Sequence, residues 1–226
     1  MKNSIAIFVG LFIFVSCATP NPYSQWYTQY YEGALIPTDN VQVIKSSPDD
    51  YLSTMNELFT QGYGLIGETA FNWDYKDSSF AVEHAKSIGA DILVLYSNYT
   101  DTSTYTSGVV SYGLGVAPVT SSQRRYDQNA LYFSKNIEKG RYGFRYSSLT
   151  AEEKQRLQTN HGLKISVVVN NSPMQKAGAI PGDVILEIDG RKVLTNSDIY
   201  DDGLNVALKI LRNGEEMELF VEFFDY

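Results

Sequence analysis

The chain is predicted to fold as an α/β domain with a partly parallel sheet, in the order βαβαββ, followed by a second, mostly β domain with short helices. Two observations predict this organisation. Between residues 41 and 138, apolar segments of strand length alternate with amphipathic helical segments. From residue 139 onward, short apolar strands are separated by turn sequences, with only brief helical stretches between them.

The first 16 residues have the pattern of a signal peptide. Lys2 supplies the positive charge, and residues 5–15 form an apolar run that is too short to cross a bilayer core of about 30 Å as a helix. The sequence Phe-Val-Ser-Cys at 14–17 resembles the lipobox of bacterial lipoproteins, with Phe14 where leucine is usual. This resemblance implies cleavage before Cys17 and attachment of acyl chains such as palmitate to it. The alternative is ordinary signal cleavage, with Cys17 a bystander.

The single cysteine indicates how the protein is held in the cell. Cys17 is the only cysteine, so the chain cannot form an internal disulfide. Two or three acyl chains on it would anchor the protein durably. We therefore expect a lipid-anchored protein of the cell envelope, facing the periplasm or the surface; Ala18 is compatible with the outer membrane of a diderm bacterium.

Removal of residues 1–16 changes the formal net charge from −8 to −9. An acidic chain argues against nucleic acid as a partner and against a basic patch that binds anionic lipid. We therefore expect membrane contact through the acyl chains on Cys17 alone.

Residues 17–40 are predicted to form a lipidated tether, and its aromatic residues suggest that part of it packs on the first domain. The small α/β domain, residues 41–138, is predicted to have strands at 41–44, 65–71, 91–96 and 129–133, the last antiparallel to the third. Its two helices are predicted to begin at Ser47-Pro48 and at Ser79. Residues 100–124 form a long loop that is either a mobile hairpin extension, which we favour, or a contact surface.

Residues 171–193 carry the most specific motif of the chain. Ser172-Pro173 opens a short helix that Ala177-Gly178 closes, and Pro181-Gly182-Asp183 forms a tight turn. Residues 184–188 read as a buried strand, and Asp189-Gly190 as a hairpin turn. This order resembles the central segment of a PDZ domain of the kind found in periplasmic proteases of the HtrA/Deg type. The resemblance implies a PDZ-like β-barrel or sandwich over residues 139–226, without a protease domain.

The remaining elements of this PDZ-like region follow from local patterns. A helical insert at 149–157 has Thr150 as its cap and Glu153 three residues later, which is a capping box. Strands are predicted at 163–169, 206–211 and 217–223. A second helix is predicted at 196–204, where Gly203 would end it after barely two turns; related domains carry a longer helix there.

The resemblance also implies a site, because PDZ domains bind extended peptide ends by strand addition. Backbone amides in the loop at 141–144 would hold a terminal carboxylate. Two side chains on the following strand and two on the second helix would line the pocket for the last residue of the peptide. Core packing alone is the alternative for these side chains. The predicted site residues are Arg141, Tyr142, Gly143, Phe144, Tyr146, Ile199 and Leu204.

The sequence gives no support for catalysis, for a metal or for a cofactor. No serine nucleophile motif is present, and the two histidines, His84 and His161, are expected to be surface or half-buried residues rather than catalytic bases. They cannot form a metal cluster with a lipidated cysteine. Asp198, Asp201 and Asp202 lack the pattern of a calcium loop and are expected to form a solvated turn.

Three function classes follow. The first is a non-catalytic, lipid-anchored envelope protein that binds or scaffolds protein C-termini or extended strands of other envelope proteins through its PDZ-like domain. The second is an accessory or docking subunit of an envelope protease or assembly machine, without a working peptide groove. The third is an unrecognised hydrolase in the first domain. An intact groove beside Phe144 favours the first class, and a closed groove with an exposed apolar patch elsewhere favours the second.

Overall fold

The computed structural model describes residues 20–112, 115–135, 137, 141–199 and 205–223, and it leaves the side chains of residues 105–120 undescribed. Two predicted site residues, Cys17 and Leu204, lie outside these ranges. Within them, no helix is both long enough and apolar enough to cross a membrane.

The first part of the chain forms a five-stranded mixed sheet with helices on both faces. Its strands lie in the order β1-β3-β5-β4-β2. The strands are β1 Tyr27–Gln29, β2 Gln42–Lys45, β3 Gly64–Trp73, β4 Ile92–Tyr112 and β5 Gly115–Ser134. The helices are α1 Pro22–Gln25, α2 Tyr51–Thr60 and α3 Ser78–Ser87.

The predicted βαβαββ order is present between residues 42 and 134, and α1 and β1, which were not predicted, precede it. Strands β2 and β4 pair in parallel, as a β-helix-β crossover requires. Strand β5 turns back antiparallel to β4, as predicted, and inserts between β4 and β3. Strand β3 therefore runs in the same direction as β2 and β4 without pairing with either of them. Its other neighbour is β1, which comes from the predicted tether.

Alternating side chains of the central strands bury two separate cores. Leu93, Tyr132 and their neighbours pack under α3 and α1 on one face. Val94, Phe133 and their neighbours pack under α2 on the other. Successive residues of a strand point to opposite faces, so the near-continuous apolar sequence of β4 fills both cores.

Both predicted helix starts in the first domain are displaced. The helix expected from Ser47 begins at Tyr51, because residues 48–50 form a separate turn in which the Ser47 hydroxyl donates to Asp50. The helix expected to be capped by Ser79 is capped instead by Asp77, whose carboxylate accepts from the Ser79 amide at 2.8 Å. Aspartate is as good a cap as serine, and Asp77 immediately precedes the first helical residue, Ser78.

The long 100–124 segment is not a separate loop but the continuation of β4 and β5. Backbone pairing runs along it from Asp101–Arg125 to Tyr112–Gly115, and residues 113–114 lie outside the described residues. Neither β2 nor β3 extends beside this part, so the two strands leave the sheet as a two-stranded ribbon.

The second part of the chain forms an antiparallel sheet in the order β11-β10-β8-β7-β6, with the short β9 paired to β8. Its strands are β6 Phe144–Ser148, β7 Leu163–Val168, β8 Val184–Ile188, β9 Arg191–Lys192, β10 Asn205–Arg212 and β11 Glu215–Glu222. Its helices are α4 Ala151–Leu157 and α5 Pro173–Lys176. The capping box at Thr150 and Glu153 and the cap at Ser172 are formed as predicted.

His84 is more deeply buried than the sequence suggested. It lies on α3 with 7% of its surface exposed, between the rings of Tyr27 and Tyr132 at centroid distances of 4.7 and 5.3 Å. Its Nε2 atom is buried and makes no hydrogen bond to any described residue. Burial lowers the pKa of His84, because the charged form would lose its hydration without gaining a partner.

The protein is expected to lose stability as the pH falls through the ordinary histidine pKa of 6.5. The unfolded chain takes up a proton at His84 more readily than the folded chain, so protonation favours unfolding. Urea midpoints at about pH 7.5 and about pH 5.5 should therefore differ less in His84→Phe than in the wild type. His161→Asn, at a half-exposed turn, is the control. An unchanged difference in His84→Phe would contradict the prediction.

Candidate peptide-binding site

The loop before β6 is held in place by two backbone hydrogen bonds. The amide of Val169 donates to the Gly143 carbonyl at 2.9 Å, and the amide of Met174 donates to the Tyr142 carbonyl at 3.1 Å. Gly143 is buried and has a φ of 71°, a left-handed conformation that glycine adopts without steric cost. The loop therefore depends on glycine at this position.

The loop leads into an open sheet edge. Strand β6 is the last in its sheet and pairs only with β7 among the described strands. Because Gly143 and Val169 are joined by a ladder hydrogen bond, the alternation of an antiparallel pair turns the amide and carbonyl of Phe144 toward the open side. The amide of Gly143 donates to no acceptor in the described part of the chain. Two consecutive amides are thus available beside an unpaired strand.

Aromatic side chains surround this edge. Tyr142 and Phe144 meet edge to face at 5.7 Å, and Phe144 contacts Tyr146 at 5.6 Å. Phe144 and Tyr146 are half-buried against the main core of the second sheet. The structure therefore places an apolar surface next to the free main-chain groups.

Phe223 also belongs to this surface, although it was predicted only as a strand end. Its ring lies 4.8 Å from that of Tyr142, and the Arg141 guanidinium lies 4.1 Å from its centroid. Leu219 and Val221 alternate with exposed residues on β11 and point into the core. Continuing that alternation by two residues reaches Phe223. The two-residue periodicity of a strand could therefore have predicted that Phe223 faces the core.

The predicted second helix is not formed in its described part. Asn196–Asp198 is a single 3-10 turn, closed by Asp198, whose carboxylate accepts from the amides of Leu194 and Thr195 at 2.8 and 2.6 Å. These hydrogen bonds lower the pKa of Asp198. Ile199 follows the turn and packs half-buried on the core, while Leu204 is outside the described residues. Among the described residues, a single turn therefore takes the place of the start of the predicted helix, and residues 200–204 lie outside the described part of the chain.

The first domain supports β6 from behind. Arg145 points away from the core, and its guanidinium lies 3.6 Å from the ring centroid of Phe59 on α2. Val167 on β7 packs with Leu58 and Phe59. The amide of Asn170 donates to the carbonyl of Thr60 at 2.8 Å. With β7 on one edge and α2 on its outer face, β6 is held rigidly while its other edge stays open.

The other titratable candidates lie apart from this edge. His84 is in the core of the first domain, and His161 lies in the turn before β7, where its Nδ1 atom is 3.1 Å from Oδ1 of Asn160. The described residues contain no group of three histidine, cysteine, aspartate or glutamate side chains arranged to hold a metal ion.

Comparison with known proteins assigns a family to this region. The family model described as PDZ domain matches residues 131–198. The chain is 38% identical over 72 residues to a serine protease HtrA-like protein of Staphylococcus epidermidis, covering 29% of this chain and 12% of the relative. It is 40% identical over 67 residues to the serine protease Do-like HtrA of Bacillus subtilis, covering 26% and 15%.

A third relative is the periplasmic pH-dependent serine endoprotease DegQ of Escherichia coli, 27% identical over 119 residues, 49% of this chain and 26% of the relative. The chain thus spans about a quarter or less of the length of these relatives. Among solved structures, the HtrA3 PDZ domain bound to a phage-derived ligand matches 36% of this chain and 82% of that chain, with 21% identity and a TM-score of 0.34. The HtrA-type protease AlgW with tripeptide matches 36% and 30%, with 28% identity and a TM-score of 0.32.

Proposed function

We propose that this chain, which contains a PDZ domain homologous to those of HtrA/Deg proteases, is a non-catalytic, lipid-anchored protein of the bacterial envelope that binds the C-termini or extended strands of other envelope proteins. One observation carries the proposal: beside the open edge of β6, the amide of Gly143 has no acceptor among the described residues. A terminal carboxylate placed there would accept a hydrogen bond from it.

The binding mode follows from the geometry of the edge. An incoming peptide would pair antiparallel with β6, and its last backbone N–H would donate to the outward carbonyl of Phe144. Its terminal carboxylate would accept hydrogen bonds from the amides of Gly143 and Phe144, with the charge of Arg141 nearby. Its last side chain would rest on Phe144, Tyr146 and Ile199.

The single 3-10 turn at 196–198 supports a second candidate function. If the turn at 196–198 and Phe223 leave no room for a side chain, the PDZ domain would act as a docking module of an envelope protease or assembly machine. Such a module would bind its partner without reading a free carboxylate.

Peptides that end in an apolar residue with a free carboxylate are expected to bind with a dissociation constant in the micromolar range, about −8 kcal/mol. Amidation of the terminus should weaken binding about tenfold or more, because the loop amides lose their anion. Isothermal titration with matched free and amidated peptides measures the difference. Equal affinity of the two forms would favour the docking module. No binding of either form would reject the proposal that the domain binds C-terminal peptides.

Two glycine variants distinguish a specific effect of the loop on peptide affinity from an effect of general destabilisation. Gly143→Ala and Gly190→Ala both place a side chain at a positive φ, 71° and 75° respectively. Each is expected to cost about 1–2 kcal/mol in backbone strain. Gly190 lies in the turn between β8 and β9, where an added Cβ meets open space. Only Gly143→Ala should reduce peptide affinity; an equal reduction in both would indicate an indirect effect.

Cys17→Ser is expected to move the protein out of the membrane fraction or to stall its precursor, because Cys17 is the only cysteine and follows the apolar leader. Fractionation of cells, with mass spectrometry of the mature N-terminus, tests this. Ala18→Ser, next to the modified residue, is the control and should leave anchoring intact. A Cys17→Ser protein that matures normally and stays in the membrane would overturn the lipid anchor.

A further inference from the structure

A row of exposed aromatic side chains crosses the first sheet where the ribbon leaves it. Trp73 on β3, Tyr126 on β5 and Tyr99 on β4 are direct cross-strand neighbours on one face. Tyr75 extends the row, with its ring 5.7 Å from that of Tyr126, which is itself 5.6 Å from Tyr99. Trp73, Tyr75 and Tyr99 are 54%, 58% and 50% exposed. We call these four residues the aromatic row.

Cross-strand aromatic contacts stabilise a sheet, but they do not explain why these rings are so exposed to solvent. A row of this kind on a folded surface commonly marks an interaction site. The question is therefore which partner covers it.

The start of the folded chain lies beside the aromatic row. Tyr23 on α1 packs edge to face on Phe71 at 5.0 Å, and Phe71 precedes Trp73 by two residues on β3, so both point to the same face. The Asn21 side chain donates to the Phe80 carbonyl at 2.7 Å, and its Oδ1 accepts from the Tyr23 amide. These contacts fix α1 to the face that carries the row.

The length of chain before α1 is short. Cys17 precedes Asn21 by four residues, which span at most about 14 Å when fully extended. If Cys17 carries acyl chains that enter the bilayer, α1 cannot lie farther than this from the membrane surface. Because α1 packs on the face that carries the aromatic row, this short tether allows the row to reach the lipid headgroups.

We propose that the aromatic row inserts into the headgroup region of the membrane and docks the first domain on it. The inference rests on the proposed lipid anchor at Cys17, and it replaces the expectation that the acyl chains make the only membrane contact. Tryptophan and tyrosine favour this region because their rings are apolar and carry a polar group. Since the anchor already holds the domain at the surface, a weak intrinsic affinity is sufficient.

Docking through the aromatic row is expected to be independent of lipid charge. The mature chain is acidic, so attraction to anionic headgroups does not assist it. Zwitterionic and anionic vesicles should therefore give the same result, whereas adsorption through basic side chains would require anionic lipid.

Tryptophan fluorescence can test the proposal directly, because the chain has two tryptophans and one cysteine. The other tryptophan, Trp26, is 55% exposed, and Trp26→Phe leaves Trp73 as the single probe. The mature chain, residues 17–226, is coupled through Cys17 to a maleimide lipid in phosphatidylcholine vesicles. Coupling is expected to reduce iodide quenching of Trp73 about threefold or more and to allow quenching by lipids brominated near the headgroup.

Variants of the same single-tryptophan protein provide the comparison. Tyr75→Ser with Tyr99→Ser should restore most of the iodide quenching, because the two rings that share the membrane contact are gone. Phe220→Ser, at a residue on β11 that is 69% exposed, should change nothing. Both variants alter exposed positions, and circular dichroism verifies that they fold.

The chemical anchor separates this inference from the proposed function. Coupling to the maleimide lipid supplies the tether whether or not cells acylate Cys17. Equal iodide quenching of Trp73 in the free and the coupled protein would overturn the docking of the aromatic row and leave natural lipidation unaffected. Loss of natural lipidation would appear only in the cell fractionation of Cys17→Ser.

Discussion

Asp183→Ala is expected to lower the free energy of unfolding by about 3 kcal/mol, since removing one partner of a buried ion pair leaves the other uncompensated. The Asp183 side chain is fully buried, and its two oxygens accept from Nε and Nη2 of Arg212 at 2.7 Å each. It also accepts from the amide of Ile180 at 2.9 Å. The value is at the low end for such pairs because the Arg212 side chain is 24% exposed and can regain some hydration.

Urea unfolding of the wild type and of Asp183→Ala measures this loss. Glu216→Ala is the matched control, because Glu216 forms a longer, 3.7 Å pair with Lys209 and its side chain is 62% exposed. An exposed pair of this kind contributes about 0–1 kcal/mol. Equal losses in the two variants would show that the Asp183–Arg212 pair does not hold the turn at 180–183.

Ile188→Ala is expected to destabilise the PDZ domain by about 2–5 kcal/mol, through lost apolar burial and the cavity left behind. Ile188 is 3% exposed on β8, opposite Leu208 on β10, in the main core of the second sheet. A loss of this size is a large fraction of the roughly 5–15 kcal/mol that holds a small domain together.

Thermal unfolding followed by circular dichroism should show a markedly lower midpoint for Ile188→Ala than for the wild type. Lys192→Ala, at an exposed residue on the neighbouring β9, should change the free energy of unfolding by no more than about 0.5 kcal/mol.

Residues 139–226, produced alone, are predicted to unfold cooperatively and to show the same contrast between the two variants. In the whole chain α2 covers Val167 and Arg145, so the fragment should be less stable than the PDZ domain in its native context. Equal effects of the two variants would contradict the assignment of β8 as a core strand.

The elements of the PDZ domain were predictable because local interactions define them. The cap at Ser172 and the capping box at Thr150 each involve groups three residues apart, and both form as predicted. The turn at Asp189 has a positive φ, as its Asp-Gly sequence indicated. The second helix was the exception: in its described part it is a single 3-10 turn, in which the Asp198 carboxylate accepts from the amides of Leu194 and Thr195. The helical pattern alone did not distinguish such a turn from the start of a helix.

The sheet of the first domain was less predictable, because strand order depends on contacts between distant segments. The apolar sequence of β3 indicates burial but does not say which strand lies beside it. Its neighbour β1 begins at Tyr27, whose hydroxyl donates to the Ile66 carbonyl. A tether segment with one short strand gave no periodic signal for this pairing.

By itself, the sequence determined the PDZ motif, its caps and turns, and the loop at 141–144, because each is encoded within a few residues by side-chain caps, glycine and proline. Only the tertiary structure decided that β5 inserts between β3 and β4, that Phe223 packs on Tyr142 beside β6, and that the aromatic row and α1 share one face. These arrangements arise from packing and pairing between segments tens of residues apart. A segment with a given local propensity can pair with different strands, and the burial of a common core selects among these pairings.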